Sequence, residues 1–184
     1  MQDSFDFKEI YKVIPKTVIK SIFDNYQLNL TEGLHALSHW SRVIENGLIL
    51  SEYNKANVNI LIAFAFFHNS KRNNEEHDPE EGLKGSQLLR YYEEDLNLSP
   101  EEIELACEAC EDFQDVVFNE NITIATCWDS ERLDFMRSGI YPDTDKLNSE
   151  YAKNVGIITS AIKRGMNNHI SDWVNELIED INQQ

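Results

Sequence analysis

The chain has few basic residues: 16 lysines and arginines stand against 33 aspartates and glutamates, which gives a formal net charge of −17. Binding to long nucleic acid through a broad basic surface is excluded by such a balance. A small phosphorylated ligand held in a local pocket stays open, as does a basic protein partner attracted to the acidic surface. High solubility is the simplest consequence of this charge.

Long apolar runs are also missing. The longest, Val58–Phe67, is interrupted by Asn59 and has the composition of a buried helix, not of a membrane span. Residues 1–6 are acidic and lack the basic start that a secretory signal has before its apolar core. We therefore expect a cytoplasmic protein with no membrane-inserted segment.

Cysteine is scarce, with three residues in the whole chain. An odd count in a chain without a signal fits reduced thiols. Cys107 and Cys110 have C-x-x-C spacing, but no second pair is present to complete a four-ligand zinc site. No alternation of strands and helices suggests a thioredoxin-like site, so we expect buried helical cysteines.

Helical periodicity dominates the rest of the sequence and predicts an all-α fold in one domain spanning residues 1–184. Residues 114–126 are the only β-like stretch, and a loop with a short helix is the alternative there. Ser99 and Glu102 form a capping box that starts one helix. The predicted helices are 15–28, 33–51, 56–69, 79–95, 99–113, 129–138 and 150–182, the last with a break near Gly165.

Three short segments place histidines or an acid within or at the end of apolar stretches. His35 and His39 are four residues apart, His68 closes an apolar run, and Asp129 follows Cys127-Trp128. Imidazoles and carboxylates are costly to bury alone, and one metal ion could serve all three segments. Each residue also has a simpler role: paired histidines can hydrogen-bond to each other, and Asp129 can cap the next helix.

These segments, with their flanks, resemble the HD-domain superfamily of metal-dependent phosphohydrolases, and in particular a group of small HD-like proteins. The resemblance covers about residues 33–142 in the right order. The segments that carry it are His39-Trp40-Ser41-Arg42-Val43, His68-Asn69-Ser70-Lys71-Arg72-Asn73-Asn74-Glu75, Asp78-Pro79-Glu80-Glu81-Gly82 and Cys127-Trp128-Asp129-Ser130-Glu131-Arg132-Leu133-Asp134.

The resemblance implies an HD-type helical bundle in which His39, His68 and Asp129 bind one divalent transition metal. His35 is a further ligand or a partner of the ligands. Imidazoles and a carboxylate suit iron, manganese, zinc or nickel, and such an ion lowers the pKa of a bound water and polarises a phosphoryl oxygen. Lys71 and Arg72 are candidate catalytic and phosphate-binding residues together with Arg132, and ordinary pairing is the alternative for all three cations.

The sequence departs from the pattern of that group at three positions. Asn69, itself a candidate catalytic residue, stands where the group has aspartate, and it keeps a carbonyl oxygen but loses the charge. Glu81 and Cys110 stand where histidines are expected. These changes argue against a two-metal site and indicate an impaired or retuned one, with a Cys110 thiolate as a conceivable substitute ligand.

Two functions from different classes therefore remain. The first is an HD-type metal-dependent phosphohydrolase acting on a small phosphorylated ligand such as a nucleotide. The second is a catalytically impaired HD-like protein that acts as an acidic binding, inhibitor or immunity-type protein. A ligand sensor without turnover is a third reading. The joint presence of His35, His39, His68 and Asp129 favours the first.

Overall fold

The computed structural model describes residues 5–183, and residues 1–4, part of the acidic start of the chain, lie outside that range. Within it the chain forms helices and no strand, which confirms the predicted all-α class. Two short 3-10 helices, Phe135–Ser138 and Thr144–Lys146, lie in the second half of the chain. The α-helices are Lys8–Tyr11 (α1), Lys16–Asn25 (α2), Leu37–Asn54 (α3), Val58–Phe67 (α4), Glu81–Tyr91 (α5), Pro100–Asp112 (α6), Ile122–Arg132 (α7), Val155–Met166 (α8) and Asp172–Asn182 (α9).

Helix α4 lies at the centre because, apart from Asn59 in its first turn, its side chains are apolar on all sides. Every residue from 60 to 67 is buried, and the helix packs against α3, α5, α6 and α7. Burying each large apolar side chain contributes about 1.5–3 kcal/mol, so α4 holds its neighbours in place. The chain leaves α4 at its C-terminal end, and the next two residues, His68 and Asn69, are therefore buried as well.

Helix α5 approaches the end of α4 through a glycine. A Cβ at Gly85 would overlap the carbonyl oxygen of Phe67 and lie 3.1 Å from the Cα of His68. Gly82, one turn earlier, faces the backbone of α6 at Cys110 in the same way. The absence of both side chains lets α5 sit directly against the backbone that carries His68.

Most of the predicted helices are confirmed with shorter ends, including the capping box of Ser99 and Glu102 and the break near Gly165. Helix α3, however, begins at Leu37 and not at residue 33. The backbone at Gly33 has φ +124°, and the Leu37 N–H donates to the Leu30 carbonyl at 2.9 Å, which closes a loop before the helix. His35 lies in that loop, so it does not share a helix face with His39.

The second departure concerns α7, which begins at Ile122 and not at residue 129. The Asn121 side chain accepts hydrogen bonds from the N–H groups of Thr123 and Ile124, and so caps a helix that starts inside the β-like stretch. The alternative for residues 114–126, a loop followed by a short helix, is confirmed. Asp129 therefore lies inside a helix and is not its N-cap.

The search for membrane-crossing helices is negative for residues 5–183: each helix there is too short or too polar to span a bilayer.

We predict that Gly85→Ala destabilises the protein by about 1–3 kcal/mol, because the added methyl forces α5 away from the backbone at Phe67 and His68. Gly156→Ala in α8 is the matched control, since its Cβ would meet only the side chain of Asn154. Urea denaturation of both variants measures the difference. Equal stability of G85A and wild type would contradict the tight packing of α5 on α4.

Candidate metal centre

Three buried side chains from separate parts of the fold converge at one point. His39 comes from α3, His68 directly follows α4, and Glu131 belongs to α7. One ligand atom of each lies within 4.8 Å of the others. The Nε2 atoms of His39 and His68 are 3.2 Å apart, and the Glu131 Oε2 atom is 3.9 Å from His39 Nε2. This buried group could hold a metal ion.

The ring of His39 is oriented by a carboxylate behind it. Its Nδ1 atom is 2.8 Å from Asp134 Oδ2, and because a carboxylate only accepts, Nδ1 carries the hydrogen. The other oxygen of Asp134 accepts from Arg42 Nε at 2.6 Å. Burial raises the pKa of Asp134, and the Arg42 guanidinium opposes that rise. The lone pair of His39 therefore sits on Nε2, facing His68.

The ring of His68 is oriented in the same sense by the backbone. Its Nδ1 donates to the Phe64 carbonyl at 2.9 Å, and the ring stacks on the Phe64 ring with centroids 4.6 Å apart. Burial lowers the pKa of His68 to about 3 and that of His39 well below its ordinary value. Both imidazoles are thus neutral at pH 7, and their Nε2 lone pairs face each other because neither ring carries a hydrogen on Nε2.

Asn69 lies against both lone pairs. Its Nδ2 atom is 3.0 Å from His39 Nε2 and 2.9 Å from His68 Nε2, so one amide group can donate to both rings. Its Oδ1 atom is buried and has no hydrogen-bond partner among the described residues. A half turn of the amide exchanges the two atoms and presents the oxygen to the same space.

Glu131 supplies the carboxylate and is paired with a cation. Its Oε1 and Oε2 atoms accept from Arg137 Nη2 at 3.1 Å and Nη1 at 3.4 Å. Burial raises the pKa of Glu131, and the Arg137 guanidinium opposes this. Arg137 Nη1 also lies 3.9 Å from Asp134 Oδ2, so this guanidinium is close to both carboxylates of the centre.

Asp129, the carboxylate expected beside the histidines, lies in a different environment. Both of its oxygens are used: Oδ1 accepts from the backbone and side-chain nitrogens of Asn148, and Oδ2 from the backbone N–H and hydroxyl of Ser149. The side chain anchors the loop at residues 148–149 on α7. The expectation that Asp129 lies with His39 and His68 is therefore corrected: the carboxylate that lies beside the two histidines is that of Glu131.

The cations expected to bind phosphate are mostly committed elsewhere. Lys71 is exposed, whereas Arg72 is buried and pairs with Glu81. Glu81, one of the three departures, is therefore the counter-ion of Arg72. Arg132 donates to four backbone carbonyls, at residues 113, 116, 117 and 146, and lies over the Trp128 ring. These hydrogen bonds connect α7 to the segments before and after it.

His35 and Cys110 do not belong to the group of three ligands. His35 is buried in the loop before α3, and its ring lies edge-on to His39 with centroids 6.0 Å apart. Cys110 is buried in α6, and burial raises the pKa of its thiol well above the ordinary value. A thiol that stays protonated is a poor substitute ligand.

A cavity of about 440 Å³ opens beside the centre. Its wall includes His35, Glu131 and Arg137, together with Phe113 and Phe135. The volume is within the range of small-molecule sites. The cavity thus borders the centre on the side of Glu131. His39 and His68 lie behind that side and are fully buried.

The sequence prediction missed Glu131, Asp134 and Arg137. They are spaced by three residues, so in a helical turn they lie on one side, whereas Asp129 is two residues before Glu131 and points elsewhere. This spacing is visible in the sequence. The predicted helix begins at residue 129, however, and that start makes Asp129 a cap and hides the shared side of the other three residues.

Comparisons with known proteins do not assign the chain: no family model, no curated protein and no solved structure matches it.

We predict that chelator-treated protein loses stability as the pH falls from about 6.5 to 5. The unfolded chain takes up protons near the ordinary histidine pKa of 6.5, whereas the folded-state pKa is about 2 for His35, about 3 for His68 and well below normal for His39. Each such histidine lowers the free energy of unfolding by up to about 1.4 kcal/mol for every pH unit below 6.5.

The raised pKa values of Glu131 and Asp134 act in the opposite direction, and three histidines outweigh these two acids. Urea denaturation at pH 7, 6 and 5 measures the slope. His77→Gln, in an exposed loop, is the control and should keep the wild-type profile. A flat stability profile across this range would show that the imidazoles are not buried in neutral form.

Proposed function

We propose that the protein is an HD-type metal-dependent phosphohydrolase that acts on a small phosphorylated ligand such as a nucleotide, with one metal ion held by His39, His68 and Glu131. The observation that carries the proposal is the pair of Nε2 atoms 3.2 Å apart beside a buried carboxylate. The acceptors at both Nδ1 atoms assign the ring hydrogens to Nδ1, which leaves both Nε2 atoms unprotonated. A cation between such groups replaces the repulsion of two lone pairs with three favourable contacts.

The donor set fits a divalent transition metal. Two neutral imidazoles and a carboxylate are common ligands of iron, manganese, zinc and nickel, and binding needs the imidazoles deprotonated, as their lowered pKa values make them. Asp134 and the Phe64 carbonyl hold the rings through Nδ1, which is the usual support for metal-binding histidines. Asn69 can add a neutral oxygen.

The remaining residues of the centre fit phosphoryl chemistry. When bound, a divalent ion supplies Lewis-acid polarisation of the phosphoryl group and activation of water. The adjacent cavity admits a small ligand, and its wall holds the Arg137 guanidinium close to Glu131. His39 and His68 are shielded from solvent, so a phosphoryl group would meet the centre from the side of Glu131.

We expect protein purified without an affinity tag or chelator to contain about one transition-metal ion per chain. Glu131→Gln should lose most of that metal, because an amide replaces the charged ligand, and His68→Ala should do the same. Asp129→Asn is the matched control: it alters the neighbouring acid in the same way but should keep the metal, since Asp129 binds the loop at Asn148 and Ser149. Mass spectrometry measures metal content.

Loss of metal in D129N with retention in E131Q would contradict the ligand set. A folded wild type that cannot be loaded with manganese, iron, zinc or nickel would exclude the metal-dependent function. If the wild type does bind metal, the loaded protein is screened for hydrolysis of phosphomonoesters and nucleotides, with E131Q as the inactive reference.

The second function, an acidic HD-like protein that binds a partner without catalysis, is favoured by one specific observation. The Asn69 amide donates to both imidazoles and so satisfies the two lone pairs without an ion. A charge of −17 is compatible with a basic partner. In this reading the centre is a purely structural network of buried polar groups.

Asn69→Asp separates the two functions. In the metal-dependent reading the variant binds manganese more tightly than wild type, by about tenfold or more, because a second carboxylate faces the ion. In the metal-free reading it gains no affinity and loses about 1–3 kcal/mol of stability, because a shared donor is replaced by a buried acceptor. Calorimetric titration with manganese and urea denaturation of the same samples decide between them.

A further inference from the structure

Four of the residues that line the cavity beside the centre carry a positive charge: Arg72, Arg132, Arg137 and Lys146. Arg72 is held by Glu81 and by the carbonyl of Glu76, and Arg132 by four backbone carbonyls. Lys146 is exposed at the rim. Arg137 is thus the cation whose charged partner is itself a candidate metal ligand.

The guanidinium of Arg137 is fixed by the backbone and not by Glu131 alone. Its Nε donates to the Leu34 carbonyl at 3.0 Å, and its Nη1 to the Asp134 carbonyl at 3.3 Å. These two contacts stay when Glu131 turns away. The remaining Nη donors, now paired with Glu131, would then present a planar fork to the cavity, the geometry that matches a phosphate or carboxylate group.

A second polar side chain on the wall of the same cavity has one unpaired ring nitrogen. The side chain of His35 lines the wall and is 8% exposed, and its Nδ1 atom has no hydrogen-bond partner among the described residues. This nitrogen is enclosed, and the other ring nitrogen lies 3.9 Å from Glu75 Oε2. A buried imidazole nitrogen without a partner is costly, and a polar ligand atom would satisfy it once the ring turns toward the cavity. Its position in the loop before α3, directly after Leu34, places it next to the carbonyl that holds Arg137.

We infer that Arg137 and His35 form the receptor for one oxyanion, the phosphate group of a small ligand, and that Arg137 exchanges Glu131 for this oxyanion when Glu131 binds the metal. The inference rests on the proposed function, because it needs the metal at Glu131. It assigns to Arg137 the anion-binding role for which Lys71, Arg72 and Arg132 are unsuitably placed.

The exchange makes the two binding events cooperative. Without the metal, Glu131 occupies the fork and competes with the anion. Without the anion, moving Glu131 to the metal leaves Arg137 buried with only one carboxylate near it, that of Asp134 at 3.9 Å, which already pairs with Arg42. Burying a guanidinium with so little compensation is costly. Each ligand therefore raises the affinity for the other by the same factor, and couplings of this kind are typically about 5–150-fold.

The experiment is calorimetric titration of the full-length protein with manganese, in the absence and presence of saturating inorganic phosphate. We expect wild type to bind manganese at least about fivefold more tightly with phosphate present. Arg137→Gln should bind manganese alone at least as tightly as wild type, because the competitor for Glu131 is removed, and phosphate should no longer change that affinity.

Two further variants make the test specific. Lys146→Gln removes one charge from the same cavity without removing the fork, and it should keep the wild-type coupling. His35→Phe preserves a ring of similar shape but no nitrogen, so it should weaken phosphate binding several-fold and leave the affinity for manganese alone unchanged. Thermal unfolding by circular dichroism confirms that each variant is folded.

Coupling that persists in R137Q would overturn the inference, as would a large loss of affinity for manganese alone in that variant, which would mean that Arg137 only positions Glu131. Cooperative binding without hydrolysis of any phosphoester would leave the exchange intact and refute the proposed catalysis. A wild type that binds no metal would refute both.

Discussion

Two imidazole nitrogens without hydrogens point into the same buried space, and the surrounding polar groups are arranged around that contact. His39 and His68 cannot relieve it by sharing a proton, because each ring already donates from Nδ1, to Asp134 and to the Phe64 carbonyl. What lies between the two Nε2 atoms must be a donor or a cation. The Asn69 amide is the donor that lies against both nitrogens. A metal ion is the alternative, and it would also bind Glu131.

The central position of α4 explains why this contact exists. An all-apolar helix buries whatever follows it, and here the two residues that follow are His68 and Asn69. Helices α3 and α7 pack against α4 and bring His39 and Glu131 to the same end. Gly85 allows α5 to close the site from another direction without displacing the backbone at His68.

Basic side chains are few in this acidic protein, and several serve the interior. Arg42 neutralises Asp134, and Arg72 pairs with Glu81. Arg132 donates to backbone carbonyls of two segments, one before and one after α7. Breaking such buried arrangements is expensive, so these arginines are poorly suited to respond to a ligand. Arg137 differs, because its partner Glu131 is also one of the three side chains that could bind a metal ion.

Periodicity and capping residues predicted the all-α class and most helices, because those signals are local. The two histidines at the centre were predicted from the resemblance of their segments to a known pattern, because each histidine taken alone also has a simpler role. The choice of Glu131 over Asp129 was not, because it depends on where α7 begins, and that start is set by the Asn121 cap inside a stretch of β-branched residues. The role of Arg132 depends on long-range loop contacts that no local pattern encodes.

The central claim is tested most directly by the tautomers of His39 and His68, read from imidazole nitrogen chemical shifts in nitrogen-15-labelled, chelator-treated protein. The account predicts that both rings carry their hydrogen on Nδ1 and that both Nε2 signals are those of unprotonated nitrogen, shifting together when metal is added. A hydrogen on either Nε2 would make the pair an ordinary hydrogen bond between histidines and would contradict the account.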